Sequence, residues 1–329
     1  MKVGGSSPRR SPVIVIAHLA PKQRSELPSA RCVSMAHPLP LPIWDRRAGK
    51  RVEEWMDDHA PTYESKPQRS LTQWLESQPL YDWLVAAYQN TRRSARQIGP
   101  FIRKNRIDMS EFEPSDYQSF AEFFDRRFRR GVRTFPDIPG ELGAFAEARY
   151  FGWESVVPDQ EFPIKGRSLN AARILGGPER AEPFANGPAL LARLSPVDYH
   201  HVHYPDDGLT LEQDCLGHRL WTVNWHALQN KDDILFRNER RLNILETRNF
   251  GRLAFVEVGA LSVGRIVQVH SLDTSFTRGE EKSVFRFGGS AVIVFGQEGA
   301  WRPSDDLLAY TQEGVETLVR LGETIAVSC

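Results

Sequence analysis

The sequence predicts an α+β fold in which N-terminal helices precede a β-rich domain of barrel or sandwich type. Three observations predict it. Apolar residues at helical spacing are confined to the first 133 residues. Stretches rich in β-branched and aromatic residues, punctuated by glycine, follow from about residue 134. Helices and strands do not alternate as they would in a doubly wound sheet. The chain has 329 residues, with 42 Lys+Arg against 42 Asp+Glu, 40% hydrophobic and 26% charged residues, and can bury a substantial core. This composition excludes a disordered, collagenous or coiled-coil protein. No run approaches the roughly eighteen apolar residues of a membrane-spanning helix. Cys32, Cys215 and Cys329 form neither a disulfide framework nor a metal knuckle, which fits a reducing compartment.

Residues 1–40 read as an extension, either a disordered tail or the product of a start placed ahead of Met35. The apolar patch from Pro12 to Ala20 is interrupted by His18, and no small-residue cleavage site follows, so a secretory signal fits poorly. Residues 41–133 read as helical. Leu80, Trp83, Leu84, Ala87 and Tyr88 fall on one helix face, and Pro79 stands where that helix would begin. Ser119-Phe-Ala-Glu122 resembles a capping box. Phe120, Phe123, Phe124 and Phe128 then make an apolar stripe opposed by Arg126, Arg127, Arg129 and Arg130. Such a stripe either packs inward with its Arg face in water, or lies in a lipid interface with Arg on anionic headgroups. From residue 134 onward, Leu253–Val269 and Val284–Phe295 are the clearest strand segments, and both contain glycines that mark bends or close backbone approach.

The balanced total hides an asymmetry. Residues 1–133 hold 23 basic and 15 acidic residues, a surplus of +8, which leaves −8 for the remainder. The front of the molecule therefore suits an anionic partner, and a membrane surface fits better than nucleic acid because the chain as a whole is neutral.

Three segments concentrate chemistry. SPVDYHHVHYPDDG (195–208) places His200, His201 and His203 within four positions. On a strand His201 and His203 share a face and His200 points the other way. These imidazoles could serve as acid–base groups, as structural hydrogen-bonding groups, or as metal ligands, though no HExxH motif or spaced Cys pair supports the last. The second segment is Phe287-Gly-Gly-Ser290, where paired glycines sit inside an apolar strand beside a hydroxyl. Paired glycines weaken a strand, so they mark either a bulge or the approach of that hydroxyl to a backbone carbonyl. It is not a GxSxG elbow. The third is FVEVGALSVGRI (255–266), with small residues at regular positions.

Taken together and in this order, these segments resemble the phosphatidylserine decarboxylases, the pyruvoyl-dependent family, in its bacterial form with a GGS cleavage site. LFRNERR (235–241) and GEEKSVFRFGGSAVIVF (279–295) keep the family's order and spacing, FAEFFDRRFRRGVRTF (120–135) and IKGRSL (164–169) resemble upstream segments, and RRAGK (46–50) and IDMSEFE (107–113) have counterparts in shorter members. The likeness runs from about residue 44 to 324.

The resemblance implies that the chain cuts itself. Ser290 would attack the carbonyl of Gly289, giving a β chain of residues 1–289 and an α chain of residues 290–329, associated as a heterodimer. Ser290 would then become a covalent pyruvoyl group that forms a Schiff base with the substrate, with neither metal nor pyridoxal phosphate needed. His203 matches the base for self-cleavage and His200 the histidine implicated in decarboxylation, while His201 stands where Arg is common. The family's acid lies in a segment like SPADGR. Here the aligned stretch is AFAEARY (144–150), so Glu147 replaces Asp as the residue that would orient His203, and Ala148 replaces Gly. Ser283 stands where Gly is common and Ala291 where Ser or Thr is common. The activity implied is conversion of phosphatidylserine to phosphatidylethanolamine and CO2 by a peripheral protein on the cytoplasmic side of the cell membrane, and a homo-oligomer is compatible with it. The alternatives are a decarboxylase of a soluble L-amino acid, aromatic ones included, on the same scaffold, and an unprocessed, non-catalytic homologue that acts as a binding protein.

Overall fold

Leu41–Asp45 (β1) and Lys50–Glu54 (β2) form an antiparallel hairpin, so the expectation that residues 41–133 are all helical is corrected at its start. Ile43 faces Val52 across the pair, and Gly49 closes the turn at φ 59°, where a side chain would be strained. The decisive contact is distant, because β1 pairs in parallel with Glu316–Val319 near the other terminus, and local periodicity cannot report that. Trp44 stacks on Tyr310 at 4.5 Å, and Arg46 forks onto Asp306 at 2.7 and 2.8 Å. The computed structural model describes residues 41–54, 79–156, 161–162, 167–168, 170–217, 234–259, 265–286 and 290–329. The expected extension (1–40), most of the 164–169 loop, residues 260–264 and Gly289 lie outside these.

Three helices follow: α1 (Pro79–Gln89), which begins at the expected proline, α2 (Ile98–Asn105) and α3 (Phe120–Phe124). The Ser119 hydroxyl caps α3 by accepting from the Glu122 amide at 3.2 Å, while the Glu122 carboxylate accepts from the Gln118 amide at 2.6 Å. Phe120, Phe123 and Phe124 are buried and pack with Ile98, Phe101 and Ile102. Arg126 is buried as well, lying 4.7 Å from the ring centres of both Phe112 and Phe123. The lipid-interface reading of this stripe is thereby corrected, since the phenylalanines are core and Arg126 belongs to the interior.

The remaining strands are β3 (Glu141–Gly143), β4 (Ala148–Trp153), β5 (Glu161–Phe162), β6 (Arg167–Ser168), β7 (Ala189–Leu194), β8 (His201–His203), β9 (Gly208–Leu216), β10 (Arg240–Thr247), β11 (Gly251–Val258), β12 (Arg265–Gln268), β13 (Ser275–Phe276), β14 (Glu281–Arg286), β15 (Ser290–Gly296), β16 (Trp301–Pro303), β17 (Glu316–Val319) and β18 (Thr324–Ser328). With β1 and β2, eight of these form one ten-stranded sheet in the order β13-β9-β10-β11-β15-β7-β4-β17-β1-β2. Two three-stranded sheets, β12-β14-β8 and β16-β18-β3, complete a sandwich-like body with no closed barrel among the described residues.

Residues of β4 and β7 are buried throughout, as are Ala291–Phe295 of β15. A strand covered on both faces has no polar side to alternate with, which explains why these segments read as near-continuous apolar runs. No boundary falls at residue 133, because the sheet draws on both sides of it and all described residues belong to one compact unit.

Two arginines interrupt the apolar centre, and both are matched. Arg193 donates to Glu316 at 2.8 and 2.6 Å with both side chains nearly buried. Removing one partner of a buried pair leaves the other uncompensated, at about 3–5 kcal/mol. Glu316→Ala is therefore expected to lower unfolding stability by about that amount in denaturant titration, whereas Glu313→Ala on the exposed Arg51–Glu313 pair should change it by about 1 kcal/mol or less.

Candidate functional site

Strand register brings sequence-distant residues to one end of the large sheet. Ser290 opens β15 opposite Leu194, the last residue of β7. In the next row Ala291 faces Arg193, Arg193 faces Arg149, and Arg149 faces Leu318. Strands lie about 4.8 Å apart, so Ser290 and the start of β4, which Glu147 immediately precedes, are separated by roughly 10 Å across this end.

The histidine segment leaves β7 at the same place and is pinned there by charge. Arg149 forms a buried ion pair with Asp198, whose carboxylate also accepts from the Ser195 amide at 2.6 Å. From α3's side, Arg126 donates to the carbonyls of Val197 at 2.6 Å and Asp198 at 2.9 Å. Desolvation pushes Arg126 down to about 10, only partly countered by the field of Asp198. It stays charged at neutral pH.

His200 is fully buried, with its ring 3.9 Å from Phe124. Its Nδ1–H donates to the Asp198 carbonyl at 3.0 Å, which leaves Nε2 as a buried acceptor without a hydrogen-bond partner among the described residues. Burial above all, then the Arg126 charge, holds its pKa at about 3, so the ring is neutral. His201 and His203 share the opposite face, as the strand pattern requires. Tyr199 stacks between them, 4.6 Å from His201 and 5.9 Å from His203.

His203 donates from Nδ1 to the Gly279 carbonyl at 2.8 Å, and its Nε2 faces the Tyr199 hydroxyl at 3.4 Å. Burial lowers its pKa, partly offset by the Gly279 bond. A neutral imidazole with Nδ1–H tied to a carbonyl presents Nε2 as a base. His201 differs, because both of its nitrogens meet acceptors: Glu281 at 3.1 Å and the Asp125 carbonyl at 3.2 Å. Its ring is thus held between α3's end and β14 by both nitrogens. Burial would raise the Glu281 carboxyl, but hydrogen bonds from His201 and Arg127 outweigh it and hold the pKa at about 2.

Glu147 lies close to this group, since the His203 amide donates to the carbonyl of Phe145 at 2.8 Å. Its carboxylate, however, accepts from Arg133 at 2.6 and 2.9 Å and from the Leu321 amide at 3.3 Å. Both ring nitrogens of His203 are directed elsewhere. The contact expected of an orienting acid is therefore absent among the described residues, and Arg133 is the group that captures this carboxylate. A cavity of about 370 Å³, lined in part by Arg133, Phe135, Arg320 and Leu321, opens beside it.

Sequence reasoning singled out all three histidines, Glu147 and Ser290, but missed Arg126, Arg149, Asp198 and Tyr199. Asp198 and Tyr199 stood inside the histidine segment and Arg149 inside AFAEAR. A charged residue in an otherwise apolar strand was the available signal, but its partner lies 49 residues away.

An internal strand that opens with a serine, at the sheet end from which a pinned, histidine-bearing segment departs, defines a candidate site of the acid–base class. The family model described as phosphatidylserine decarboxylase matches residues 120–327. Relatives include a phosphatidylserine decarboxylase proenzyme of Chlamydia pneumoniae, 34% identical over 273 residues (81% of this chain and 89% of the relative). That of Ruminiclostridium cellulolyticum is 32% identical over 253 residues (76% and 84%), and proenzyme 2 of Clostridium acetobutylicum is 33% identical over 257 residues (78% and 87%). The chain belongs to the phosphatidylserine decarboxylase family.

The electrostatics of His200 carry a pH signature. An unfolded chain gains a proton on this ring near pH 6.5, whereas the folded chain refuses it until about pH 3. Stability is thus complete above about pH 6.5 and falls as pH drops toward 3, by about 1.4 kcal/mol per pH unit for this one proton. His203, also lowered, acts in the same sense. His200→Asn is expected to flatten the stability–pH slope between pH 6 and 4 by roughly one proton in denaturant melts. An unchanged slope would contradict the assignment.

Proposed function

We propose that this chain is a proenzyme that cuts itself between Gly289 and Ser290 and then decarboxylates phosphatidylserine to phosphatidylethanolamine and CO2. The observation that carries this is the register that begins β15 at Ser290 beside the pinned histidine segment, in a chain whose relatives are named as proenzymes of this activity. Those names favour the lipid over a soluble amino acid and over a non-catalytic role.

In the cutting step His203 Nε2 takes the proton of the Ser290 hydroxyl, and the oxygen attacks the Gly289 carbonyl carbon. The 289–290 C–N bond breaks as the Ser290 nitrogen leaves with a proton, and an ester remains. Elimination of the Gly289 carboxylate from the Ser290 side chain, followed by water uptake and loss of ammonia, ends the 290–329 chain in a pyruvoyl group. Glu147 contributes here through its charge at this end of the sheet rather than by touching His203.

The surroundings suit such a group, because the Nε2 of His200, unpartnered among the described residues, is a buried, uncharged acceptor in the segment that follows Leu194, the residue paired with Ser290. When formed, the ketone supplies an electron sink for the pair of electrons left by CO2. His200, neutral in the resting protein, gains proton affinity when the substrate carboxylate enters this buried site, accepts the proton that the substrate amine sheds and returns it to the α-carbon as CO2 leaves. Buried walls of Phe124 and Tyr199 keep water from competing for that carbon.

For the membrane, the helix α1 replaces the phenylalanine stripe. Leu84 and Tyr88 are four residues apart and exposed at 53% and 46%, with Arg92, Arg93 and Arg96 exposed just beyond. An apolar face flanked by cations suits peripheral attachment to the anionic, cytoplasmic leaflet. Among the described residues no helix is long and apolar enough to cross a membrane.

Purified protein is expected to run as two bands and, after borohydride with substrate, to carry the adduct on the shorter one. Ser290→Ala should give one band and no CO2 release, and a wild-type chain that stays whole would sink the reading. Leu84→Glu is expected to weaken sedimentation with phosphatidylserine vesicles by at least tenfold at low salt. Equal binding would remove α1 from the membrane face.

A further inference from the structure

A second charged cluster lies in the core and takes no part in the chemistry above. Glu257 on β11 and Lys282 on β14 are both fully buried and meet at 2.8 Å. Gln268 on β12 closes the group by donating to Glu257 at 2.5 Å and accepting from Lys282 at 2.9 Å. The Ser283 hydroxyl donates to the other Glu257 oxygen, and the ammonium lies 4.9 Å from the centre of the Phe255 ring. Desolvation lowers the Lys282 pKa against the pull of Glu257.

The location is specific. Glu257 sits opposite Val292, two residues along β15 from Ser290. Lys282 is the extra residue of a β-bulge, since the pairing of β14 with β8 slips between Glu281 and Ser283. That bulge turns both Lys282 and Ser283 onto the same carboxylate. The strands β14 and β15 belong to different sheets, yet only residues 287–289 separate them, so the 289–290 bond lies where the chain passes from one sheet to the other. The cluster spans that same gap, joining β14 and β12 of the small sheet to β11, the hydrogen-bonded neighbour of β15. Buried ion pairs are seldom needed for stability, since apolar replacements of similar volume are often neutral or stabilising. Their best-attested use is to fix one arrangement among several.

We propose that Glu257, Lys282 and Gln268 form a positioning clamp that fixes the two sheets against each other at the crossover, and that self-cleavage at Ser290 depends on it. The clamp holds the end of β14 at a set distance from the start of β15, and so fixes where Ser290 enters the large sheet. Displacements of an ångström at a reacting pair are enough to slow a reaction by orders of magnitude. These are positioning residues and touch no reacting atom. The proposal rests on the self-cleaving reading above.

The test uses the full chain. In the double variant Glu257→Leu with Lys282→Met, the melting temperature is expected to match wild type while the first-order appearance of the 40-residue fragment slows at least tenfold. Lys282→Met alone should be slow, and Lys282→Arg, which restores charge and donors, should recover most of the rate. A folded double variant that cuts at the wild-type rate overturns the proposal. If the double variant does not fold, Glu257→Asp and Gln268→Ala take its place, and cutting at the wild-type rate in both is equally fatal. A second readout does not need cleavage: in a Ser290→Ala background, loss of the clamp should speed hydrogen exchange at least tenfold in β14 and β15 and leave β9 and β10 unchanged. A wild-type chain that stays whole would refute the self-cleaving reading, and the exchange experiment would still decide the clamp. Exchange that is uniform or unaltered refutes it.

Discussion

Ser290 begins a strand that is hydrogen-bonded along both edges, to β11 on one side and β7 on the other. A strand so placed cannot leave without opening the middle of a ten-stranded sheet. The position of Ser290 is therefore set by the whole sheet rather than by a loop, and the 290–329 segment is woven into the rest. That segment supplies β17 and the helix at Asp305–Gln312, which hold the N-terminal hairpin through the β1 pairing, the Trp44–Tyr310 stack and the Arg46–Asp306 fork. In the proposed cut form, a 40-residue chain carrying two Arg and six Asp/Glu, or −4, would stay bound to a 289-residue chain of +4. Breaking the 289–290 bond would leave the pairing of Ala291–Gly296 with β11 and of Ala291–Phe295 with β7 in place.

The second organising effect is desolvation. Arg149 and Arg193 lie side by side in the buried centre of the sheet, and each is matched by a carboxylate. One of those matches anchors the histidine segment, because Asp198 is held by Arg149 while its carbonyl receives both Arg126 and His200. The same burial that makes these pairs necessary keeps His200 and His203 neutral. Structure and reactivity thus share a cause: a low-dielectric sheet end holds charge only where a carboxylate or backbone carbonyls meet it, and leaves His200 and His203 uncharged. Of the three histidines in this segment, His201 is the one that meets a carboxylate, that of Glu281.

Much of this was legible in the sequence. The α+β class, the start of α1 at Pro79, the cap of α3 and the shared face of His201 and His203 all follow from local patterns, and the order of motifs sufficed to identify the family. What could not be read was long-range. The β1–β2 hairpin owes its place to β17, more than 270 residues away by register. The inward turn of the phenylalanine stripe depends on Phe101 and Ile98, which α2 presents. Arg126 resembled a surface cation because sequence cannot show that two backbone carbonyls of the histidine segment wait for it. Glu147 is two residues from the Phe145 carbonyl that receives the His203 amide, but its carboxylate is held by Arg133, fourteen residues upstream, and local sequence does not report that choice of partner.

The central claim is that the 289–290 bond is the one this fold is arranged to break. Intact-mass spectrometry of the purified wild-type chain tests it most directly. The account predicts two species, one ending at Gly289 and one beginning at position 290 that is lighter than a serine-ended chain by the mass of ammonia. A single full-length mass, or a fragment with an unmodified serine at its start, would contradict it.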